Sequence, residues 1–452
     1  MKLSVSGFKS ISSVERFNFK KLTLLAGINS SGKSSLIQAL LLLKQTFESG
    51  GNEILKTRGD YVNANEPLDL VHGKTRKRKL EYVVTLYADE MENANEFGEY
   101  LPEGEQLQQL DIALTFSLNG TAHLDDMQID LWYGCETERE TFTLHRVAKS
   151  GLYNITTTQP NMVNNNGGKY EKNLKGYALS FKYGFLPFFG ESEGEIVSFT
   201  IIKNIQFVLS RLFAAICYVG PQRVKPELAH SYSQMDFKDV GINGENTRFL
   251  LNEKKGTMVE GYDKKLVELV NEWIVGRMNL AKSINVTRDA NKLYRVMVTN
   301  ESGVEVDLCQ TGFGLSQILP IVTQGLLTPK GGTFIVEDPD VHMHPRVQAE
   351  MVNFFADLIA HGRKVIVETH SDHIVTRMRL LLAQGGISHD DVNVCFVTNK
   401  EGHSEYCSCA LTQEGMFAEP LPEGFMDSQE TDFREIIKTR LQAKSNGLAN
   451  SN

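Results

Sequence analysis

The chain has 452 residues, of which 41% are apolar and 23% charged, a balance that supports a large buried core and excludes global disorder. A net charge of −9 excludes a surface built as a whole to attract phosphate backbones, so any nucleic-acid contact must come from a local basic patch. The N-terminal MKLSVSGFKS has no signal-peptide apolar region, and no apolar run approaches the ~20 residues that span a bilayer, so a soluble, cytoplasmic chain without membrane contact is expected.

In chain order, Leu3–Phe8 and Leu22–Ala26 are short apolar stretches, and the second reads as a buried strand ending in glycine. Gly27-Ile-Asn29-Ser30-Ser31-Gly32-Lys33-Ser34-Ser35 follows. From Lys33 the pattern becomes a helix, apolar almost all round, that stops at Gly50-Gly51. The segment from Gly27 to Ser34 matches GxxxxGK[ST] in the context the motif needs, after a strand and before a helix. Glycines there let the loop wrap a phosphate, while backbone N–H groups and the helix start supply positive potential. Lys33 is expected to reach the β/γ-phosphates and the Ser34 hydroxyl to ligate Mg²⁺, which makes ATP with Mg²⁺ the expected ligand. A plain glycine turn is the competing reading, and the strand–loop–helix context tells against it.

The next segment, to about residue 215, is predicted to be antiparallel and β-rich, with EYVVTLYA, LDIALTFSL and ETFTLHRV as strands. At its edge, His72-Gly-Lys74-Thr-Arg76-Lys77-Arg78-Lys79 is the densest basic cluster. It could contact ~3–5 phosphates of DNA or RNA, although such runs are more often solvated turns. Gln159–Asn173 reads as an exposed loop, its Asn and Gly content reflecting loop chemistry rather than a binding site. The six cysteines are Cys135, Cys217, Cys309, Cys395, Cys407 and Cys409; only the last two lie close together, and CxC lacks four-ligand zinc spacing, so free thiols are expected.

A helix from Ile201 leads into CYVGPQR and a mixed region. Thr311-Gly312-Phe-Gly314-Leu-Ser316-Gln317 then opens an apolar run; small residues at a helix start can bind an anion, a weak signal by itself. The last third alternates TFIVED, PRVQAEMVNFFADLIAH, KVIVETH, SDHIVTRMRLLLAQ and VNVCFVTN, the pattern of a parallel α/β sheet. Glu337 and Asp338 come at a strand end, where open parallel sheets bind ligands. Glu337 suits Mg²⁺ and Asp338 suits orientation of the attacking water, although two solvated turn acids would look the same in isolation. His342 and His344 are a weak metal pair, lacking further ligands nearby. The helix from Pro345 to His361 joins that strand to Val365–Thr369, so the two are expected side by side, with His370 at the same edge and placed for a γ-phosphate.

GINSSGKSS, GFGLSQILP, VEDPDVHMHP and ETHSDHIVTRMR, in that order, resemble the Walker A, signature, Walker B and switch motifs of ABC/SMC-like ATPases. More narrowly they are similar to the bacterial AAA-type group related to OLD-family ATPases. YVGPQRVKPE (218–227) and LPEGFMDSQETDF (421–433) add to the likeness, the latter resembling a short C-terminal module of unknown function. The resemblance implies an α/β ABC/SMC-type P-loop ATPase head. Residues 1–70 would form the Walker A half, 71–215 a β-rich insertion, 216–400 the half with signature, Walker B and switch histidine, and 401–452 the short module and tail. It implies a homodimer, or higher homo-oligomer, that sandwiches two ATP, with Thr311, Gly312, Gly314 and Ser316 of one copy meeting the nucleotide of the other. Glu337 and Ser34 would serve Mg²⁺, Asp338 the water and His370 the switch.

One departure is Asp338, where ABC and SMC proteins usually carry glutamate; turnover is then expected to be slow or partner-dependent. The segment after His370 shows no strand-Glu-Gly start and no DxD cluster of the TOPRIM nuclease found in OLD-type relatives. A nuclease would therefore be a separate effector, as with the HNH partner of PtuA in Septu-type anti-phage systems. Other readings are an ATP-gated switch or scaffold with little turnover, and a DNA-repair or transport-associated ABC-type ATPase. A P-loop kinase would leave the signature-like motif unexplained.

Overall fold

The computed structural model describes residues 1–421 apart from 52, 76–77, 92–93, 135–136, 149, 159–172, 182–183, 189–190, 193–194, 197–199, 225–236, 289–293 and 420. The chain opens with a hairpin of β1 (Lys2–Phe8) and β2 (Ile11–Asn18), then β3 (Leu22–Ala26) and α1 (Lys33–Glu48). Next come β4 (Leu80–Tyr87), β5 (Gln109–Asn119), β6 (Thr121–Tyr133), β7 (Glu138–Arg146), β8 (Tyr153–Thr157) and β9 (Asn173–Tyr177). Two small pairings follow, β10 (Ser180–Phe181) with β11 (Pro187–Phe188) and β12 (Glu191–Ser192) with β13 (Glu195–Ile196). Then come α2 (Thr200–Ala214), β14 (Ile216–Val219), α3 (Thr247–Lys254) and α4 (Leu266–Asn271). The small sheet β15 (Ser283–Arg288), β16 (Tyr294–Thr299) and β17 (Glu305–Asp307) precedes α5 (Phe313–Leu327). The chain continues through β18 (Thr333–Glu337), α6 (Pro345–Ala360), β19 (Lys364–Thr369), α7 (Asp372–Ala383), β20 (Val392–Lys400) and β21 (His403–Cys409).

Two large sheets carry the fold. The first is antiparallel, in the order β2-β1-β4-β5-β6-β7-β8-β9. Its strands alternate as a sheet with one covered face must: Leu110, Ile112, Leu114, Phe116 and Leu118 of β5 are buried, and Asp111, Ala113, Thr115 and Ser117 between them are half-buried. The second runs β14-β18-β19-β3-β20-β21, parallel except for the last strand. Here β3 and β18 are buried at every position, because both faces are covered. Leu25, Ile335, Ile366, Cys395 and Val397 point into one core with α1, α2 and the antiparallel sheet. Leu24, Val336, Val367 and Phe396 point into the other with α5, α6 and α7. Gly325 of α5 lets the helices approach closely, since a Cβ there would lie 2.8 Å from the Phe354 ring.

Both large sheets draw strands from distant parts of the chain. β1 pairs with β4 (Leu3 opposite Val84), so residues 2–18 and the β-rich segment form one continuous sheet across the 70/71 division. Likewise Lys400 pairs with His403, which adds β21 to the central sheet beside β20. Neither join is visible in local pattern, because a strand's partner is a long-range choice. Residues 159–172 of the expected loop, and LPEGFMDSQETDF beyond Leu421, lie outside the described residues. No helix among the described residues is long and apolar enough to cross a membrane.

Candidate active site

The turn from β3 into α1 sits at the carboxyl edge of the central sheet. Gly27 (φ 148°) and Gly32 (φ 103°) occupy backbone conformations that other residues rarely adopt, and a Cβ on Gly32 would lie 1.9 Å from Ser404 Oγ. Asn29 and Ser30 are exposed, Ser31 is buried, and Ser30 is itself left-handed at φ 61°. The Lys33 ammonium, in a side chain only 3% exposed, donates to the carbonyls of Gly27 (3.0 Å) and Ile28 (2.9 Å) and lies 3.5 Å from His370 Nδ1. Burial lowers its pKa, opposed by the carboxylates of Glu368, Asp338, Asp340 and Glu337. Ser35 shares a 2.8 Å hydrogen bond with Ser10 Oγ from the β1–β2 turn.

Parallel pairing brings the acids to the same edge. Glu337 lies opposite Glu368, and Thr369 opposite Ala26, immediately before the glycine turn. Glu337 Oε1 accepts from the Tyr218 hydroxyl (2.9 Å), and Glu368 Oε1 accepts from Ser34 Oγ (2.7 Å). Burial, with the neighbouring negative charges, pushes both carboxyls above the usual range. Asp338 has a left-handed backbone (φ 46°), and its N–H donates to the Glu368 carbonyl at 2.9 Å. Its Oδ1 is buried without a hydrogen-bond partner, 3.9 Å from His370 Nε2. Thr369 Oγ1 donates to Asp340 Oδ1 (2.5 Å), tying the loop after β18 to the end of β19.

Glu368 Oε2 is likewise buried and unpartnered. Beside the Ser34 hydroxyl, these are the hard oxygen donors that Mg²⁺ takes. Among the described residues no group of three or more His, Cys, Asp or Glu could hold a metal ion alone. His342 and His344 are otherwise engaged: His342 packs edge-on to Phe313, and His344 Nδ1 accepts from Arg346 N as the cap of α6.

Sequence reasoning brought Gly27–Ser35, Glu337, Asp338 and His370 to this edge, and the structure places them there. It missed Glu368, although the matched offsets of FIVE and VIVE after their strand starts were a usable signal. It also missed the supports of the loop, Ser404 Oγ donating to Ser31 O (2.6 Å) and the Tyr406 hydroxyl donating to Gly32 O (2.6 Å), which no local pattern reveals. Beneath them, His72 Nδ1 donates to Lys9 O (2.7 Å) and the two rings of His72 and His403 meet at 2.9 Å.

The Thr311–Gln317 segment opens α5. Thr311 Oγ1 donates to Leu308 O (2.7 Å), and Ser316, 5% exposed, donates to Phe313 O (2.6 Å). Gly312 has open space around its Cα, and Gly314 faces the His342 carbonyl. The basic cluster is largely spoken for: Lys74 pairs with Asp69 (2.8 Å), Lys79 with Asp125 (3.1 Å), and Arg78 donates to Ser12 Oγ (2.7 Å). Arg76 and Lys77 lie outside the described residues.

The sequence profile of the family described as AAA ATPase domain matches residues 1–215 and 221–375. No curated protein matches the chain. Among solved structures, the chain is similar to an SMC head bound to the C-winged helix domain of ScpA, at 12% identity and TM-score 0.47, over 91% of this chain and 98% of that one. It is also similar to an Smc head with an extended coiled coil, bound to the C-terminal domain of ScpA derived from Pyrococcus furiosus (12% identity, TM-score 0.44, 90% and 96% covered). A third similar structure is the SMC head domain from Thermotoga maritima (12% identity, TM-score 0.37, 90% and 97% covered).

Proposed function

Because this chain belongs to the AAA ATPase domain family, we propose that it hydrolyses ATP slowly with Mg²⁺, and that ATP-dependent pairing of two copies gates a separate effector. One observation carries the reading: Lys33, Ser34, Glu337, Glu368, Asp338 and His370 converge at one edge of the parallel sheet, beside the glycine turn. Lys33 neutralises the transferring phosphoryl group, at present holding its place through the Gly27 and Ile28 carbonyls. Ser34, Glu337 and Glu368 would hold Mg²⁺, which supplies positive charge to the β- and γ-phosphate oxygens. Asp338 orients the attacking water and His370 meets the γ-phosphate.

Pairing of heads is supported by two exposed apolar side chains, Ile28 (58%) in the glycine turn and Phe313 (42%) beside Gly312 and Gly314. Docking turn against helix start would cover both. The motif order supports placement near the OLD-related group, and with it a nuclease as the effector. A second reading, an ATP-held assembly switch, is favoured by the short Asp338 side chain. Phosphate release by purified protein separates the two. Turnover that is abolished by Lys33→Ala supports hydrolysis; ATP-dependent pairing without release supports the switch; wild-type turnover by Lys33→Ala overturns the site. Affinity capture of the tagged protein, with nuclease assay of the eluate, tests the effector: capture without nuclease activity removes that proposal.

A further inference from the structure

Arg223 closes the YVGPQR run just after β14, with 6% of its surface exposed. Its guanidinium makes a fork between two parts of the site. Nη1 donates to the carbonyls of Gly220 (2.9 Å) and Glu337 (3.0 Å), and Nη2 donates to the Asp338 carbonyl (2.6 Å). Nε donates to Gln317 Oε1 (3.3 Å), and Gln317 Nε2 donates back to the Arg223 carbonyl (3.5 Å). Gln317 stands one residue after Ser316, in the opening turns of α5. A single rigid, planar group therefore grips the first turns of α5 and the backbone of both acids.

Burying a cation is costly, and anchoring a loop does not require one. What the guanidinium adds is fixed geometry, which a flexible ammonium lacks. Asp338 supplies the element it can act on. Its φ of 46° is strained for a residue with a Cβ. That backbone is held by the Glu368 carbonyl on one side and by Arg223 on the other. Loosening the Arg223 bond frees the Asp338 peptide to relax toward ordinary dihedrals and swing its carboxylate away from His370.

We propose that Arg223 is a positioning residue that couples the start of α5 to the Asp338 backbone in the same chain, so that docking of a second copy's nucleotide on Gly312, Gly314 and Ser316 sets the aim of Asp338. This rests on the paired-head reading above. A head that holds ATP alone then leaves Asp338 unset, and turnover waits on assembly.

The test uses the full chain with two variants. Arg223→Lys keeps the charge and loses the fork; Gln317→Leu cuts only the arm to α5. For each, affinity for a fluorescent ATP analogue, steady-state turnover, melting temperature and hydrogen exchange at residues 338–342 with and without ATP are measured. The expected result is ATP affinity within ~3-fold of wild type and turnover down ~10–100-fold for Arg223→Lys and ~5–20-fold for Gln317→Leu. The ATP-induced protection of 338–342 is lost in both. A purely structural Arg223 predicts instead that turnover and affinity fall together with melting temperature. That result, or protection equal to wild type in both variants, overturns the inference. If Arg223→Lys fails to fold, Gln317→Leu decides. A wild type that binds ATP and releases no phosphate defeats the hydrolytic reading, and the exchange comparison still decides the coupling.

Discussion

Asp338 combines features rarely found together in a residue with no functional role: a left-handed backbone, a buried oxygen without a partner, and a histidine 3.9 Å away. If it orients water, Asp338→Asn keeps ATP affinity within ~3-fold and lowers turnover ~10–100-fold. Titration of a fluorescent nucleotide beside a phosphate-release assay checks this, and proportional loss of both would mark Asp338 as a structural or Mg²⁺ residue. The Glu337–Glu368 pair makes a separate claim. Both carboxyls are raised by burial and by neighbouring negative charge. The folded protein therefore keeps protons there that the unfolded chain has already released. Stability from this pair is present at acidic pH and is lost as pH rises from the ordinary carboxylate range through neutrality. The melting temperature of ligand-free protein is expected to fall across that window, and Glu368→Gln to flatten the fall. An identical slope in the variant would remove the pair as its source.

At the scale of elements, the glycine turn is a shared product of three strands. β3 delivers it, β19 supplies Glu368 and the approach to His370, and β21 holds its carbonyls from behind through Ser404 and Tyr406. Removing one such hydroxyl forfeits a hydrogen bond worth ~0.5–1.5 kcal/mol. Tyr406→Phe is thus expected to weaken ATP affinity ~2–10-fold by loosening the loop, with the melting temperature nearly unchanged. Isothermal titration with a thermal melt checks both halves; unaltered affinity would reduce Tyr406 to a packing role. A comparable constraint fixes β1, since Lys9 and Ser10 in the turn after it reach Gln38 (2.6 Å) and Ser35 (2.8 Å) of α1.

At the scale of the molecule, the two cores on either face of the central sheet make the glycine turn, the acids and α5 parts of one body. Pairing through Ile28 and Phe313 is expected to depend on ATP. Sedimentation of Asp338→Asn with ATP is predicted to show a dimer, and Phe313→Ser in that background to shift it to monomer; a dimer indifferent to both ATP and Phe313 would place the interface elsewhere. Lys74, Arg78 and Lys79 are each paired within the chain, which reduces the charge free to meet a phosphate backbone. Weak nucleic-acid binding, with a shallow salt slope, is the expected outcome of a mobility-shift series.

The order of the motifs, the glycine turn with Lys33 and Ser34, and the strand-ending acids were legible in the sequence, because each depends on a few adjacent residues and on periodicities of two and 3.6. So was the adjacency of β18 and β19, which a single intervening helix favours. Tyr218 against Glu337, Arg223 across the start of α5, and β21 behind the turn were decided by tertiary structure alone. In each of these contacts the partners are far apart in the chain, and nothing in the local pattern of either says which one the packed core will bring to it. The continuity of β1 with β4 has the same cause: the free side of the β1–β2 hairpin offers open hydrogen bonds, and only the folded sheet determines what fills them.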